Sequence, residues 1–148
     1  MAHSKIHKLA LAASLALVAG FSGYCLLISE TCHRGTFFLS ADQQGQRHYQ
    51  QGRFDPAARR FADSTWRAAA YYRAGDFKQA AALFSGVDTP QGAFNEGNAR
   101  VMLGQYAEAV QNYDRALAGI PDWEAAQANR RIALARAERV KKEGGDMT

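Results

Sequence analysis

Residues 68–84 read AAAYYRAGDFKQAAALF, a run that sets a glycine, an alanine and two aromatics at fixed intervals behind a small residue. Residues 45–61, GQRHYQQGRFDPAARRF, and residues 97–113, GNARVMLGQYAEAVQNY, repeat the arrangement. Laid over one another without a gap, the blocks agree at five places. Each opens on a small residue (Gly45, Ala68, Gly97) and carries a glycine seven positions on (Gly52, Gly75, Gly104). Then come Phe54, Phe77 or Tyr106, next Ala57, Ala80 or Ala109, and last Phe61, Phe84 or Tyr113. Self-similarity of this kind marks an array of supersecondary units, and it governs every other reading of the chain.

Within a block the small residue and the apolar residues after it fit a helix that stops at the glycine, which supplies the left-handed conformation common just past a helix end. A second helix starts at once. Asp55 followed by Pro56 reads as an N-cap and first-turn pair, and Asp76 with Gln79 as a capping box. The alanine and the last aromatic lie one turn apart on one face of that helix. The alanine lets two helices approach, and the aromatic fills the space between neighbouring hairpins. One such hairpin cannot bury its apolar face alone, but three stacked make a continuous core. From Asp122 the sequence WEAAQANRRIALARAERVKKE provides a final helix with a more polar outer side, a cap. The expected fold is all-α.

The glycine, aromatic, alanine, aromatic spacing resembles the tetratricopeptide repeat family over about residues 40–142. The third block matches it best, NEGNARVMLGQYAEAVQNYDRALAGIPDW, with Pro121 where that family ends a repeat. Two departures stand out. The large aromatic near the start of the first helix is missing or displaced, Trp66 lying only two residues before Ala68. The glycines are also spaced by 23 and 29 residues, against about 34 in the family. These intervals imply compact hairpins with truncated second helices.

The apolar residues are unevenly spread. LALAASLALVAGFSGYCLLI, residues 9–28, holds no charge, and as a helix it reaches roughly 30 Å, the thickness of a bilayer's hydrocarbon core. Lys5 and Lys8 precede it and favour an N-terminus left in the cytoplasm, although Arg34 lies on the far side. The expectation is an uncleaved signal anchor. The competing reading, a cleaved secretory signal, requires cutting near Gly20 and Ser22 and leaves YCLLI at the new terminus. On a helix Cys25 and Cys32 would lie about 10 Å apart, beyond disulfide reach. Cys32 is an inert thiol or a link between chains. The organisation expected is a tail over 1–8, a membrane span over 9–28, a linker over 29–40, repeats over 41–121, a capping helix over 122–142 and a flexible tail over 143–148.

A narrower resemblance rests on FFLSADQQGQ, AAYYRAGDFKQAAALF and FNEGNARVMLG. Together they look like the C-terminal part of bacterial inner-membrane proteins that join a von Willebrand A domain to tetratricopeptide repeats. Such proteins are grouped with aerotolerance-type operons encoding AAA+ ATPases of the MoxR kind. The resemblance implies repeats in the periplasm and a protein partner, either a von Willebrand A-type membrane protein or a MoxR-type system. The von Willebrand portion has no counterpart here, so its metal-dependent adhesion does not carry over.

The chain has a net charge of +4, but from Ala41 onward 15 Lys and Arg face 13 Asp and Glu, too even a balance for a nucleic-acid footprint. The basic run from Arg130 to Lys142 is interrupted by Glu138 and reads as a solvated helix face. No nucleophile–base set, phosphate-cradling loop or metal-ligand cluster is present in the sequence, and no cofactor or enzymatic activity is expected. His48 reads as a packed or surface histidine. What remains is binding. By the family resemblance, residues one, four and five after each small residue face a concave surface. They include Gln46, Tyr49, Tyr72, Arg73, Asn98 and Met102, with Phe94 one turn earlier. Aromatic, Met and Arg side chains are the types enriched in interfaces. The expected function is a membrane-anchored module in an envelope complex. The alternatives are a purely structural subunit and a secreted soluble binder.

Overall fold

The computed structural model describes residues 39–145. The expected membrane span at 9–28, the tail before it, most of the linker and residues 146–148 lie outside the described residues. Among the described residues seven helices succeed one another: α1 (Ala41–Gln50), α2 (Phe54–Arg60), α3 (Ser64–Ala74), α4 (Phe77–Phe84), α5 (Pro90–Met102), α6 (Tyr106–Gly119) and α7 (Glu124–Gly145). Each packs on the helix before and after it, and α5 also touches α7. Among the described residues no helix is long and apolar enough to cross a membrane.

The three repeat glycines do what their spacing predicts. Gly52, Gly75 and Gly104 have φ of 71°, 87° and 74°, in the left-handed region. The residue after each glycine donates its N–H to the carbonyl five residues back: Arg53 to His48, Asp76 to Tyr71 and Gln105 to Arg100. These bonds satisfy carbonyls that the helix end leaves without partners.

Capping refines the sequence reading. The Asp76 carboxylate accepts from the Gln79 N–H at 3.1 Å, but the Asp76 N–H is committed to Tyr71, so only half of the expected box forms. The full reciprocal box stands at Ser40 and Gln43, where each side chain accepts from the other's backbone at 3.2 and 2.8 Å. Helix α2 starts earlier than Asp55 as N-cap would have it: the N-cap is Arg53. Asp55 and Pro56 instead occupy the first turn. There a carboxylate meets the positive helix end, and a proline's missing N–H costs nothing. Asp63 and Thr89 cap α3 and α5 through their side chains.

The hairpins are compact where the glycine intervals are short. Helices α2 and α4 have seven and eight residues, while α6 has fourteen. In all three the alanine at the matched position is fully buried, and Phe61, Phe84 and Tyr113 are 3%, 2% and 1% exposed. Each of these rings lies between two small residues. One is the block's opening residue, on the first helix of the same hairpin. A Cβ added at Gly45 would stand 2.7 Å from the Phe61 ring, and one at Gly97 2.8 Å from Tyr113. The other is an alanine two positions past the opening residue of the next unit. Phe61 clusters with Ala70, Phe84 with Ala99 and Tyr113 with Ala133. The aromatic therefore packs within its own hairpin as well as between hairpins.

Ala133 changes the meaning of α7. Aligned through it, residues 131–136, RIALAR, take the register of 97–102, GNARVM, so α7 corresponds to the first helix of a fourth unit. The opening position holds Arg131, which is exposed. Among the described residues no aromatic from a following helix needs that space, so a long charged side chain fits there.

Candidate functional site

The first helices α1, α3, α5 and α7 together line two neighbouring cavities. One, of about 120 Å³, is bounded by Tyr49, Ala69, Tyr72, Arg73, Asn95 and Asn98, with Phe84 at its base. The other, of about 210 Å³, is bounded by Tyr72, Asn98, Met102, Asn129, Ile132 and Arg136, with Val101 and Tyr113 behind them. Tyr72 and Asn98 belong to both, so the two cavities form a single groove across the first helices. Each is smaller than the roughly 300–1,000 Å³ typical of a pocket for a drug-sized ligand.

The turn geometry positions the walls. Four residues after the opening position stand Tyr49 and Tyr72, each set edge-on against the aromatic that begins its hairpin's second helix. Tyr49 meets Phe54 and Tyr72 meets Phe77, both with centroids 5.3 Å apart at 71°. The same edge-on contact is thus made in the first two hairpins, while the third carries Val101 at that position. Tyr49 also meets Phe61 and Trp66 edge-on, and Trp66 stacks on Phe61 at 5.8 Å. Trp66 therefore packs the first hairpin onto the start of α3.

One position further on, Arg73 places its guanidinium 4.7 Å over the Phe54 ring, and Arg136 does the same over Tyr106 at 5.7 Å. Both contacts run from the first helix of one unit to the second helix of the unit before it. Cation–π contact holds each head group over a ring face.

At the centre, Asn98 is fixed by two bonds to its side-chain oxygen. The Tyr113 hydroxyl donates at 2.8 Å and the Asn129 amide at 2.9 Å. Burial pushes the Tyr113 phenol up to about 12, so it remains a neutral donor. With the Asn98 oxygen occupied, its amide hydrogens are left to donate. No Asp or Glu lines either cavity. Among the described residues no three His, Cys, Asp or Glu side chains stand together as a metal-binding group.

Of the residues expected from sequence, Tyr49, Tyr72, Arg73, Asn98 and Met102 come together on the groove. Gln46, half-buried on α1, lines neither cavity. Phe94 turns toward the other end of its helix, 4.4 Å from the Trp123 ring and 5.8 Å from Tyr113, where it packs α5 on α6 and the start of α7. The sequence reading omitted Asn95, and on α7 it omitted Asn129, Ile132 and Arg136. The signal for these last three was available: they sit two before, one after and five after Arg131, in register with the groove positions of the earlier blocks.

A solved structure, the NMR structure of the first TPR domain of the human RPAP3 protein, matches with a TM-score of 0.61 and 23% identity, over 69% of this chain and 93% of that one. The likeness is one of fold, and it makes this chain a tetratricopeptide-like stack of helical hairpins. No family model matches the chain. No curated protein matches it either.

Proposed function

We propose that the chain is a membrane-anchored protein-interaction module whose groove captures a segment of another protein. The observation that carries this reading is the groove itself. Four first helices present Tyr49, Tyr72, Met102 and Ile132 beside Arg73, Arg136 and an oriented asparagine. That is the composition of a binding surface: rigid aromatics and arginines dominate interface energetics, with flexible apolar side chains around them.

The anchor rests on the uncharged run of residues 9–28 behind Lys5 and Lys8, which favours a single pass of the bacterial inner membrane with the repeats in the periplasm. The sequence resemblance names the kinds of partner to test first, a von Willebrand A-type membrane protein or a MoxR-type AAA+ system. A reporter active only in the periplasm, fused after Thr148, is expected to be active. Silence there with activity of a cytoplasmic reporter would overturn the topology. For the groove, Tyr72→Ala combined with Arg73→Ala should weaken partner capture from detergent-solubilised membranes by about 100-fold or more. The helical circular dichroism should be largely unchanged. Full recovery of the partner by the double variant would move the interface off the groove.

A further inference from the structure

Set beside the third hairpin, the first lacks a carboxylate and holds arginines instead. In the third, Glu96 stands one residue before the opening position and takes Arg100 at 2.7 Å and Arg115 at 3.4 Å. Gln105 accepts from Arg100 and Asn112 from Arg115, which closes the network at its two ends. Block register carries four of these positions onto the first hairpin. Glu96 becomes Gln44, Arg100 becomes His48, Gln105 becomes Arg53 and Asn112 becomes Arg60. The two neutral ends are now cations, and the acid at the centre is a neutral amide.

The surroundings of His48 follow from that exchange. Arg53 donates its N–H to the His48 carbonyl at 3.0 Å. The charges that act on the ring are those of Arg53, Arg60 and Arg47, all positive. Its Nδ1 is buried with no hydrogen-bond partner. Arg47 occupies the slot in which Ala70, Ala99 and Ala133 are buried against a preceding ring. None of these three arginines is ion-paired among the described residues. The nearby carboxylates serve the backbone: Asp42 accepts from the N–H groups of Ala62 and Asp63, Asp63 caps α3, and Asp55 lies in the first turn of α2. From Ala41 onward the whole surplus of positive charge falls in residues 41–62, with four arginines against two aspartates. Neither His48 nor Arg47, Arg53 or Arg60 lines the groove.

We propose that the first hairpin binds a phosphate group at His48, Arg53 and Arg60, with Arg47 at its edge, where the third hairpin carries its own carboxylate. The guanidinium fork matches the oxygens of phosphate, and such charge-assisted bonds are roughly twice as strong as neutral ones. A protonated His48 would offer Nδ1–H as a further donor. Two sources supply this chemistry, the headgroup of an anionic lipid and a free phosphate. If residues 9–28 span a bilayer, only residues 29–38 separate it from the described stack, at most about 35 Å of extended chain. A lipid headgroup then lies within reach of α1.

The test follows the His48 ring by NMR in the full-length, histidine-labelled chain in mild detergent, its signal identified with His48→Gln. Phosphate, compared with chloride at equal ionic strength, should move the signal toward the protonated ring. At saturation the ring's titration midpoint should rise by about one pH unit. Arg53→Gln and Arg60→Gln should each weaken phosphate binding about tenfold. Gln44→Glu supplies the carboxylate of the third hairpin. It should raise the melting temperature without phosphate and abolish the response to phosphate, a combination that loss of fold cannot produce.

Phosphatidylcholine nanodiscs with and without phosphatidylglycerol, free of added phosphate, separate the sources. A response to the phosphatidylglycerol discs assigns the lipid headgroup, and a response to free phosphate alone assigns a soluble phosphate. No response to either would overturn the proposal. So would an equal response to chloride, or a response unchanged in Arg53→Gln, Arg60→Gln and Gln44→Glu. The free-phosphate measurement needs neither the membrane span nor the groove, so its result stands apart from the failure of either reading.

Discussion

The first and third hairpins share the five matched residues yet are held together differently. Helix α2 ends after seven residues, and the junction into α3 is fixed by a long-range cap: the Asp42 carboxylate accepts from the N–H groups of Ala62 and Asp63 at 2.7 and 2.9 Å. Around that junction the Tyr49, Phe54, Phe61 and Trp66 rings pack on one another. Helix α6 runs fourteen residues, and its added turns carry polar links. Glu96, 2% exposed, takes Arg100 at 2.7 Å from its own helix and Arg115 at 3.4 Å from α6. Asn112, also buried, accepts from Arg115, and Asp114 reaches Arg130 of α7. The ring in its small-residue slot is common to every hairpin, so it sets the fold. Length is optional, and where it is present it goes into polar latches, one inside the hairpin at Glu96 and one from Asp114 to the next helix.

If the ring is the shared element, removing it should be costly in the short hairpin and the long one alike. Phe61→Ala, Phe84→Ala and Tyr113→Ala should each lose about 3–5 kcal/mol by thermal or denaturant unfolding. That is much of the stability of a small domain. A melting temperature within a degree of the parent for Phe84→Ala would remove that residue from the core. The latch should act only in the long hairpin. Glu96→Gln keeps the shape but removes the charge from two arginines. A loss of about 2 kcal/mol is expected, held down by the exposure of Arg115. If Glu96→Gln costs as much as Tyr113→Ala, the polar links rather than the rings set the third hairpin.

The opening residue permits a finer comparison. Alanine at Gly45 or Gly97 would gain about 1 kcal/mol of helix propensity. It would also push its Cβ into the Phe61 or Tyr113 ring, an overpacking that costs about 1–3 kcal/mol. A net loss of about 1 kcal/mol is expected at both positions. The second hairpin already carries Ala68 beside Phe84, so Ala68→Gly should also destabilise, by propensity and a small void. If Gly97→Ala instead stabilises, the α5–α6 spacing is looser than the contact implies.

These contrasts also explain what was legible in the sequence. The repeat positions were, because each has one physical job: a left-handed turn, a close approach or a buried ring. The truncation of α2 and α4 was, through the glycine intervals. Five groove residues came from the family resemblance, which places the positions one, four and five after the opening residue on the concave side. Asp42 was not legible, because its partners lie twenty residues on and are backbone N–H groups that any sequence supplies. The Glu96 latch needed Arg115, nineteen residues away, and a long side chain's destination is not encoded in spacing. The fourth unit was overlooked because Arg131 breaks the small-residue rule just where no ring demands it. Phe94 looked like a groove residue by its turn, but Trp123 offers it a stacking partner that the repeat pattern does not contain.

The smallest effect expected belongs to the third position after the opening residue, where the hairpins carry His48, Tyr71 and Arg100. Arg100 has Glu96, and Tyr71 packs into the cores on both sides of α3. His48 has neither; its Nδ1 is buried with no hydrogen-bond partner. Desolvation lowers its pKa below 6.5, and Arg53, Arg60 and Arg47 lower it further. The folded state therefore favours the neutral ring. Between the folded pKa and 6.5 the unfolded chain binds more protons, so stability rises with pH across that window. The contribution is complete above about 6.5 and is lost as pH falls through the folded value. Melting temperatures of the parent and of His48→Gln, tracked from about pH 8 to about pH 5, should run parallel above about 6.5. Below it the parent should fall away relative to the variant. Parallel curves over the whole range would mean that the ring's surroundings accept the charged form. The first hairpin would then tolerate at this position the cation that the third hairpin must neutralise with Glu96.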